Sequence, residues 1–172
     1  MNKKIRISIV LLMGCLAITS CGKKDAATTE EPTEINETTS DEGHPAAASN
    51  VLVITGDDQM QFNTKELRAE AGKPITLTLK HIGKIPKQAM GHNIVILQEG
   101  TNEADFAVKA AAAQETEYIP ASEKASIIAH TKLLGGGEQD TIEFTIDKKG
   151  TYNFLCSFPG HFAMMKGVLI VE

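Results

Sequence analysis

Short apolar runs separated by turn-forming residues dominate the chain from Asn50 to its last residue. Several runs alternate apolar with polar positions, which is the two-residue period of a half-buried strand. Clusters of Gly, Pro, Asn and Asp between the runs predict tight connections. Seven or eight short strands in about 120 residues predict an antiparallel β-sandwich or barrel. The predicted strands are 51–54, 74–80, 92–97, 126–130, 141–146, 151–156 and 167–171, with a further short one near 62–67.

One interval, 103–114, breaks this strand pattern. It is rich in alanine and other strong helix formers, with acidic residues early and Lys109 later, an order that suits the helix dipole. Phe106, Lys109 or Ala110, and Ala113 share one face at helical spacing. We therefore expect one surface helix inserted between two strands.

The first 21 residues have the organisation of an export signal. Three basic residues precede an apolar stretch, 7–18, that is too short to be a stable membrane anchor. The sequence ITSC at its end resembles the lipobox of bacterial lipoproteins, in which the cysteine becomes the lipidated first residue. We therefore expect residues 1–21 to be a lipoprotein signal peptide that ends at a lipidated Cys21. The protein is then exported to a bacterial periplasm or cell envelope and anchored to a membrane. Cys15 is the alternative lipidation site, but it would leave a shorter apolar core.

Residues 22–49 have the composition of a solvated linker. They contain two lysines and seven acidic residues, and Ile35 is their one aliphatic side chain larger than alanine. Such a stretch cannot bury enough apolar surface to offset the entropy of ordering it. We predict a disordered acidic tether that holds a folded domain, 50–172, away from a membrane. His44 within it is expected to be an ordinary linker residue.

The charge balance argues against nucleic acid as a partner. The whole chain has a net charge of −5, and the predicted domain holds 12 basic and 15 acidic residues. This balance gives no global basic field to attract phosphates.

One of the three cysteines is a candidate functional residue of the folded domain. If Cys15 leaves with the signal and Cys21 carries lipid, Cys156 is the one thiol in the folded part. An exported protein normally pairs its cysteines. A lone thiol there is therefore a metal ligand, a nucleophile or a core residue, and its neighbours must decide between these.

The neighbours of Cys156 point to a metal. His161 follows five positions later and Met165 four positions after that, all in one predicted loop between the last two strands. A second imidazole, His92, opens an earlier predicted strand within the sequence MGHN. A thiolate and two imidazoles with a weak axial thioether form the blue-copper electron-transfer site. Holding these ligands on short loops between paired strands fixes a geometry that serves both Cu(I) and Cu(II).

From about residue 50 to the end, the chain resembles the azurins, a family of cupredoxins. Five stretches carry the resemblance: GDDQMQFN at 56–63, HIGKIPK at 81–87, MGHN at 90–93, IAHTKLLGGGE at 128–138, and CSFPGH at 156–161 followed by Met165 and KG. The four-residue spacer between Cys156 and His161 favours azurins over plastocyanin-like relatives. The resemblance implies a Greek-key β-sandwich or barrel of seven to eight strands with one inserted surface helix.

The resemblance also implies the metal and its ligands. One type 1 copper ion is expected on His92, Cys156 and His161, with Met165 axial and the Gly91 carbonyl as a distant second axial contact. Met164 competes with Met165 for the axial place, and the family spacing selects Met165. Asn93 matches a residue that ties the ligand loops together. The backbone N–H groups of Asn93 and Phe158 are the implied donors to the Cys156 sulfur, where they would tune the reduction potential.

Electrons are expected to pass through the edge of His161 within an apolar patch. Redox proteins, as cytochrome- or oxidoreductase-type donors and acceptors, are the implied partners, because a small uncharged surface suits brief encounters. His81 matches a buried histidine near the site and is either a pH sensor or a core imidazole, whereas His130 is expected to be a surface or structural residue. The expected patch comprises Ile85, Ala89, Met90, Phe158, Pro159, Ala163 and Met164.

Two departures from the azurin pattern concern stability. Azurins usually join the first strand to a later one by a disulfide, but the matching positions are Asn50 and Gly72. Stability should then rest on the core and on bound copper. The tryptophan typical of the core is also absent, and Ile94 or a neighbour takes its place.

The predicted function is therefore single-electron transfer without enzymatic activity. One rival is an enzyme that uses a Cys156 nucleophile with His92 or His161 as base, but it leaves Met165 unexplained. A second is a copper-binding or delivery protein with the same ligands, which differs in how readily it exchanges the metal.

Overall fold

The computed structural model describes residues 48–172. The predicted signal peptide with Cys21, nearly all of the predicted tether and His44 lie outside the described residues. Within the described range, no helix has the length and apolar character needed to cross a membrane.

Eight strands form two sheets, which confirms the predicted β-sandwich. The three-stranded sheet has the order β1-β3-β6 and the five-stranded sheet the order β2-β8-β7-β4-β5. The strands are β1 Val51–Gly56, β2 Glu66–Ala69, β3 Pro74–His81, β4 Val95–Leu97, β5 Ile127–His130, β6 Gln139–Thr145, β7 Gly150–Leu155 and β8 Lys166–Val171.

The expectation that all strands pair antiparallel is wrong for two pairs. β1 pairs parallel with β3, and β2 pairs parallel with β8, while the remaining pairs are antiparallel. Between β1 and β3 the chain crosses to the other sheet to form β2, and a crossover of this length allows parallel pairing where a hairpin would not.

Alternating side chains of both sheets form the core. Along β3, Ile75, Leu77 and Leu79 are fully buried and the residues between them are not. The same period brings Leu52 and Ile54 of β1 to the interior, because successive strand residues point to opposite faces. Ile94, which with its neighbours is the candidate for the place of the azurin tryptophan, is fully buried in this core.

The predicted helix is confirmed as α2, Glu103–Ala111, which ends three residues earlier than expected. The Asn102 side chain caps it by accepting from the N–H groups of Ala104 and Asp105. Phe106 and Ala110 are buried against a small second core that includes Leu155. Three short helical segments were not predicted from the sequence: α1, Lys87–Met90, and two 3-10 helices, Gln114–Thr116 and Ala121–Ser126.

A polar cross-link lies where azurins carry a disulfide. The Asn50 side-chain amide donates to the carbonyl oxygens of Glu70, Lys73 and Pro74 at 3.2–3.3 Å, and its oxygen accepts from the Glu70 N–H at 3.0 Å. Gly72 lies within the segment so bound. Hydrogen bonds thus replace a covalent bond between the start of β1 and the approach to β3.

Candidate metal centre

Three segments at one end of the sandwich bring the predicted ligands together. Cys156 directly follows β7, and His161 lies in the loop from β7 to β8. His92 precedes β4, held by an isolated bridge to Leu134. β4 and β7 are antiparallel neighbours with Val95 opposite Leu155, so the residues before Val95 lie beside those after Leu155. Sheet pairing therefore brings His92 to the loop that holds the other two ligands.

The loop after β7 closes on itself through backbone hydrogen bonds. The His161 N–H donates to the Phe158 carbonyl at 3.1 Å, and the Met165 N–H donates to the His161 carbonyl at 2.8 Å. The Cys156 N–H donates to the Met165 carbonyl at 2.9 Å. These bonds fix the orientation of the ligand loop.

His92, Cys156 and His161 form a buried group of potential metal ligands. One donor atom from each residue lies within 4.8 Å of the others. Cys156 Sγ and His161 Nδ1 are 3.7 Å apart. His92 and Cys156 are fully buried, and His161 is 3% exposed. Two imidazole nitrogens and one sulfur, excluded from water, are the donor set that copper takes in blue-copper sites, so the residues fit this metal.

Backbone contacts orient His92. Its Nε2 donates to the Asp57 carbonyl at 2.7 Å, while Nδ1 lies 3.0 Å from the Gly91 carbonyl. With the proton on Nε2, the Nδ1 lone pair is available to a metal. Asp57 was not predicted as a site residue, because its backbone and not its side chain makes the contact.

Burial controls the protonation of all three ligands. It raises the pKa of the Cys156 thiol to about 11, against the opposing effect of backbone hydrogen bonds from Asn93 and Phe158. Burial also lowers the pKa of His161 to about 4, with the neighbouring His92 and His81 adding to the effect. Burial lowers the pKa of His92 as well. At neutral pH the metal-free ligand group is therefore uncharged, and a bound cation displaces the thiol proton.

Met165 and Met164 lie in opposite environments. Met165 is fully buried, whereas Met164 is 53% exposed. A methyl group built on Gly56 would lie 2.9 Å from a carbon of the His92 ring and 3.2 Å from the Met165 terminal methyl. Met165 and His92 are thus neighbours across Gly56. Gly56 was not predicted as a site residue, and its lack of a side chain leaves room for both groups.

Asn93 joins the two ligand-bearing segments through Ser157. Its amide donates to Ser157 Oγ and its oxygen accepts from the Ser157 N–H, both at 2.8 Å. Both residues are buried. Asn93 was predicted to tie the ligand loops together, but its partner Ser157 was not predicted. The position of Ser157 next to Cys156 was the available indication.

His81 and His130, the two other histidines of the predicted domain, differ in burial and in their distance from the ligand group. His81 is buried and its ring stacks on His92 with centroids 4.2 Å apart. The Gly83 N–H donates to His81 Nδ1 at 3.1 Å, so Nε2 carries the proton and donates to the Met90 carbonyl at 2.8 Å. The backbone thus holds the ring at both nitrogens. His130 is exposed, outside the ligand group, with Nδ1 donating to the Thr131 carbonyl.

The residues of the predicted apolar patch are all accessible. Phe158 packs on His161 with ring centroids 4.6 Å apart, and the Met164 N–H donates to the His161 carbonyl at 3.0 Å. The half-buried members are Ile85, Met90 and Phe158, and the exposed ones are Ala89, Pro159, Ala163 and Met164.

Comparison with known proteins shows the family to which the chain belongs. A family model described as copper binding proteins, plastocyanin/azurin family, matches residues 49–172. An azurin from Alcaligenes faecalis is 42% identical over 120 residues, which cover 67% of this chain and 93% of that protein.

Two solved structures share the fold. A reduced auracyanin from the photosynthetic bacterium Roseiflexus castenholzii is 37% identical, with a TM-score of 0.66 over 73% of this chain and 98% of that chain. An azurin from the methylotroph Methylomonas sp. strain J is 32% identical, with a TM-score of 0.65 over 73% of this chain and 99% of that chain. The chain therefore belongs to the plastocyanin/azurin family of copper-binding proteins.

Proposed function

We propose that this protein passes single electrons between redox partners through one copper ion held by His92, Cys156 and His161. Electron transfer through a type 1 copper site is the function that the family and this ligand group imply. The observation that best supports this function is that one thiol and two imidazoles meet in a buried site, with their donor atoms within 4.8 Å of one another. A copper ion bound there supplies one-electron chemistry by alternating between Cu(I) and Cu(II).

Met165 would complete the ligand set through its thioether, and the Gly91 carbonyl would be a more distant contact of the copper ion. The burial of Met165 beside His92 supports the first assignment, and the exposure of Met164 argues against that residue. Cys156 Sγ lies 3.8 Å from the Gly91 oxygen, which supports the second. A soft, weak axial ligand favours Cu(I) without excluding Cu(II).

The surrounding hydrogen bonds hold the ligands in one arrangement. Asn93 bridges to Ser157, and the Asp57 carbonyl fixes the His92 ring. Ligands that do not move when the charge of the metal changes keep the reorganisation energy small. The N–H groups of Asn93 and Phe158 stabilise negative charge on the Cys156 sulfur and so tune the reduction potential.

Electrons enter and leave through the edge of His161, the ligand with measurable exposure. The seven apolar residues of the patch defined above give a redox protein a small apolar surface around this edge. Such a surface favours fast dissociation over high affinity. Donors and acceptors are expected to be cytochrome- or oxidoreductase-type proteins.

An enzymatic role for Cys156 is disfavoured by its chemistry. The thiol is fully buried and its pKa is raised to about 11, so the reactive thiolate is scarce at neutral pH. Reactive cysteines have lowered pKa values and access to substrate. We therefore propose an electron carrier without enzymatic activity.

The protein is exported and anchored by lipid on Cys21, with the acidic segment 22–49 as tether. The basic and apolar start of the chain and the sequence ITSC support this part of the proposal. The tether would limit the distance over which the copper domain meets its partners.

Titration of the protein with Cu(II) tests the copper site. The wild-type chain should develop an intense absorption in the visible region that disappears on reduction and returns on oxidation. C156S should lose this band and the thiolate-dependent copper hyperfine coupling. H130N, which removes an exposed histidine outside the ligand group, is the matched control and should keep both.

The same sample distinguishes the alternatives. A colourless copper complex, or copper that passes quickly to a competing chelator, would contradict electron transfer and favour copper delivery. An unchanged spectrum in C156S would refute the ligand assignment.

Cell fractionation tests the anchor separately. C21S should release the protein from the membrane fraction and abolish incorporation of labelled fatty acid, whereas C15S should do neither. If C15S had these effects and C21S did not, the lipidated residue would be Cys15.

A further inference from the structure

A strained turn lies beside the electron-transfer patch. Glu117 and Tyr118 have φ values of 53° and 65°, and Met60 is the one other non-glycine residue with positive φ in the described part of the chain. Bulky side chains rarely adopt this left-handed conformation, where glycine or asparagine is usual. Two such residues in succession persist only when surrounding contacts hold them.

Those contacts fasten the turn to the segments that flank the metal centre. The Glu117 carboxylate accepts from Lys87 Nζ and from the Leu133 N–H, both at 3.3 Å. Lys87 begins α1, which carries Ala89 and Met90 of the apolar patch. The Tyr118 N–H donates to the carbonyl of Ala113, the N-cap of the 3-10 helix Gln114–Thr116, at 2.8 Å, which ties the turn to the start of that helix.

The Tyr118 ring contacts Phe158, and Phe158 in turn contacts the predicted copper ligand His161. The Tyr118 ring meets Phe158 edge to face with centroids 5.1 Å apart, and Phe158 meets His161 at 4.6 Å. Tyr118 is half-buried and lines a cleft with Phe158, Lys87 and Leu133. The left-handed turn therefore aims the ring at the side chain that covers the copper ligand.

We propose that Tyr118 is a positioning residue of the electron-transfer surface: it holds Phe158 against His161 and forms an outer rim of the apolar patch that a redox partner covers. This inference rests on the proposed electron-transfer function. A turn needed only to connect two elements would be better served by glycine, because glycine has no strain at positive φ. A tyrosine in this strained conformation is explained if its ring has a role at the metal centre.

Two effects follow from this role. Phe158 held in place keeps water from the His161 edge, and a dry surrounding disfavours the more highly charged Cu(II) state, which raises the reduction potential. Tyrosine also supplies rigid apolar contact area with little entropy to lose, which favours it at interfaces.

The test compares four variants of the full chain after loading with Cu(II). Y118N and Y118G remove the ring but suit the left-handed backbone, so neither adds strain. Y118F keeps the ring and serves as the conservative rescue. V51N removes an apolar side chain that is 72% exposed at the end of β1 opposite Gly56 and serves as the matched control.

The measurements are the reduction potential and the electron self-exchange rate, in which two copies of the patch meet. Y118N and Y118G should have a lower potential and a self-exchange rate reduced about two- to tenfold, the range expected for loss of an aromatic contact. Y118F should restore both quantities, and V51N should leave them unchanged.

Wild-type potential and rate in folded, copper-loaded Y118N or Y118G would overturn the role of Tyr118. Equal losses in Y118F would assign the effect to the hydroxyl and would likewise overturn it. A wild-type chain that binds copper without the visible band would refute the proposed function instead, so the two failures are distinguishable.

Discussion

Asn93 and Ser157 hold each other by two hydrogen bonds of 2.8 Å in opposite directions, although 64 positions separate them in the chain. Each lies next to a predicted copper ligand. The pair therefore connects two segments of the metal centre without contacting the metal, and its loss should affect stability and site geometry together.

We predict that N93A lowers the free energy of unfolding by about 1–3 kcal/mol, because it leaves the buried Ser157 N–H without an acceptor. Urea unfolding of the metal-free protein measures this loss. The copper-loaded variant should also show a shifted visible band. N63A removes an exposed side chain that accepts one hydrogen bond, from the Thr55 N–H, and should cost less. Equal midpoints for N93A and N63A would contradict the prediction.

G56A should disturb the copper site more than the fold. The added methyl would lie 2.9 Å from His92 Cδ2 and 3.2 Å from Met165 Cε, so both side chains must move. We expect weaker copper binding in a chelator competition and an altered visible spectrum. G150A is the matched control, since its new methyl would meet nothing closer than 3.5 Å. Identical copper affinity in the two variants would count against the role of Gly56.

The stability of the metal-free protein should rise with pH between about 4 and 6.5. Burial lowers the pKa of His161 from 6.5 to about 4, so in this window the unfolded chain binds more protons than the folded one. The expected gain from this group is on the order of 2–3 kcal/mol. Urea unfolding at several pH values measures it. H161Q, which cannot titrate there, should show a flatter profile, and parallel profiles would refute the assignment.

Replacing Asn50 should weaken the connection between β1 and the segment 70–74. N50A removes three donated hydrogen bonds and one accepted hydrogen bond, and we expect a loss of about 1–2 kcal/mol in the free energy of unfolding. Thermal or urea unfolding measures the loss. S49A, at the neighbouring position, removes a local contact with Val51 and is the control. Equal stability of the two variants would argue against the polar cross-link.

Much of the fold could be predicted because the alternation of apolar and polar residues that marks a strand is a local property of the sequence. The alternation of Ile75, Leu77 and Leu79 with polar residues is sufficient to assign β3 and its buried face. The parallel pairing of β1 with β3 could not be predicted in this way, because it depends on where the intervening chain goes. Strand 92–97 was predicted too long, since His92 bridges to Leu134 and the regular strand begins at Val95.

The metal centre was predictable to the extent that its residues are close in sequence or match azurins. Cys156, His161 and Met165 lie within one loop, so their spacing alone indicated a metal. Asp57 acts through its carbonyl and Gly56 through the absence of a side chain, and neither property is visible in residue identity. The left-handed conformation of Tyr118 was equally hidden, because no glycine or asparagine marks the turn.

The backbone contact of His92 gives residue 57 two separate tasks. Its carbonyl holds the Nε2 of His92, and every amino acid supplies the same carbonyl. Its carboxylate accepts from the N–H groups of Gln59 and Gln61 and so holds the adjoining turn. A substitution of Asp57 should therefore disturb the turn before it disturbs the orientation of the ligand.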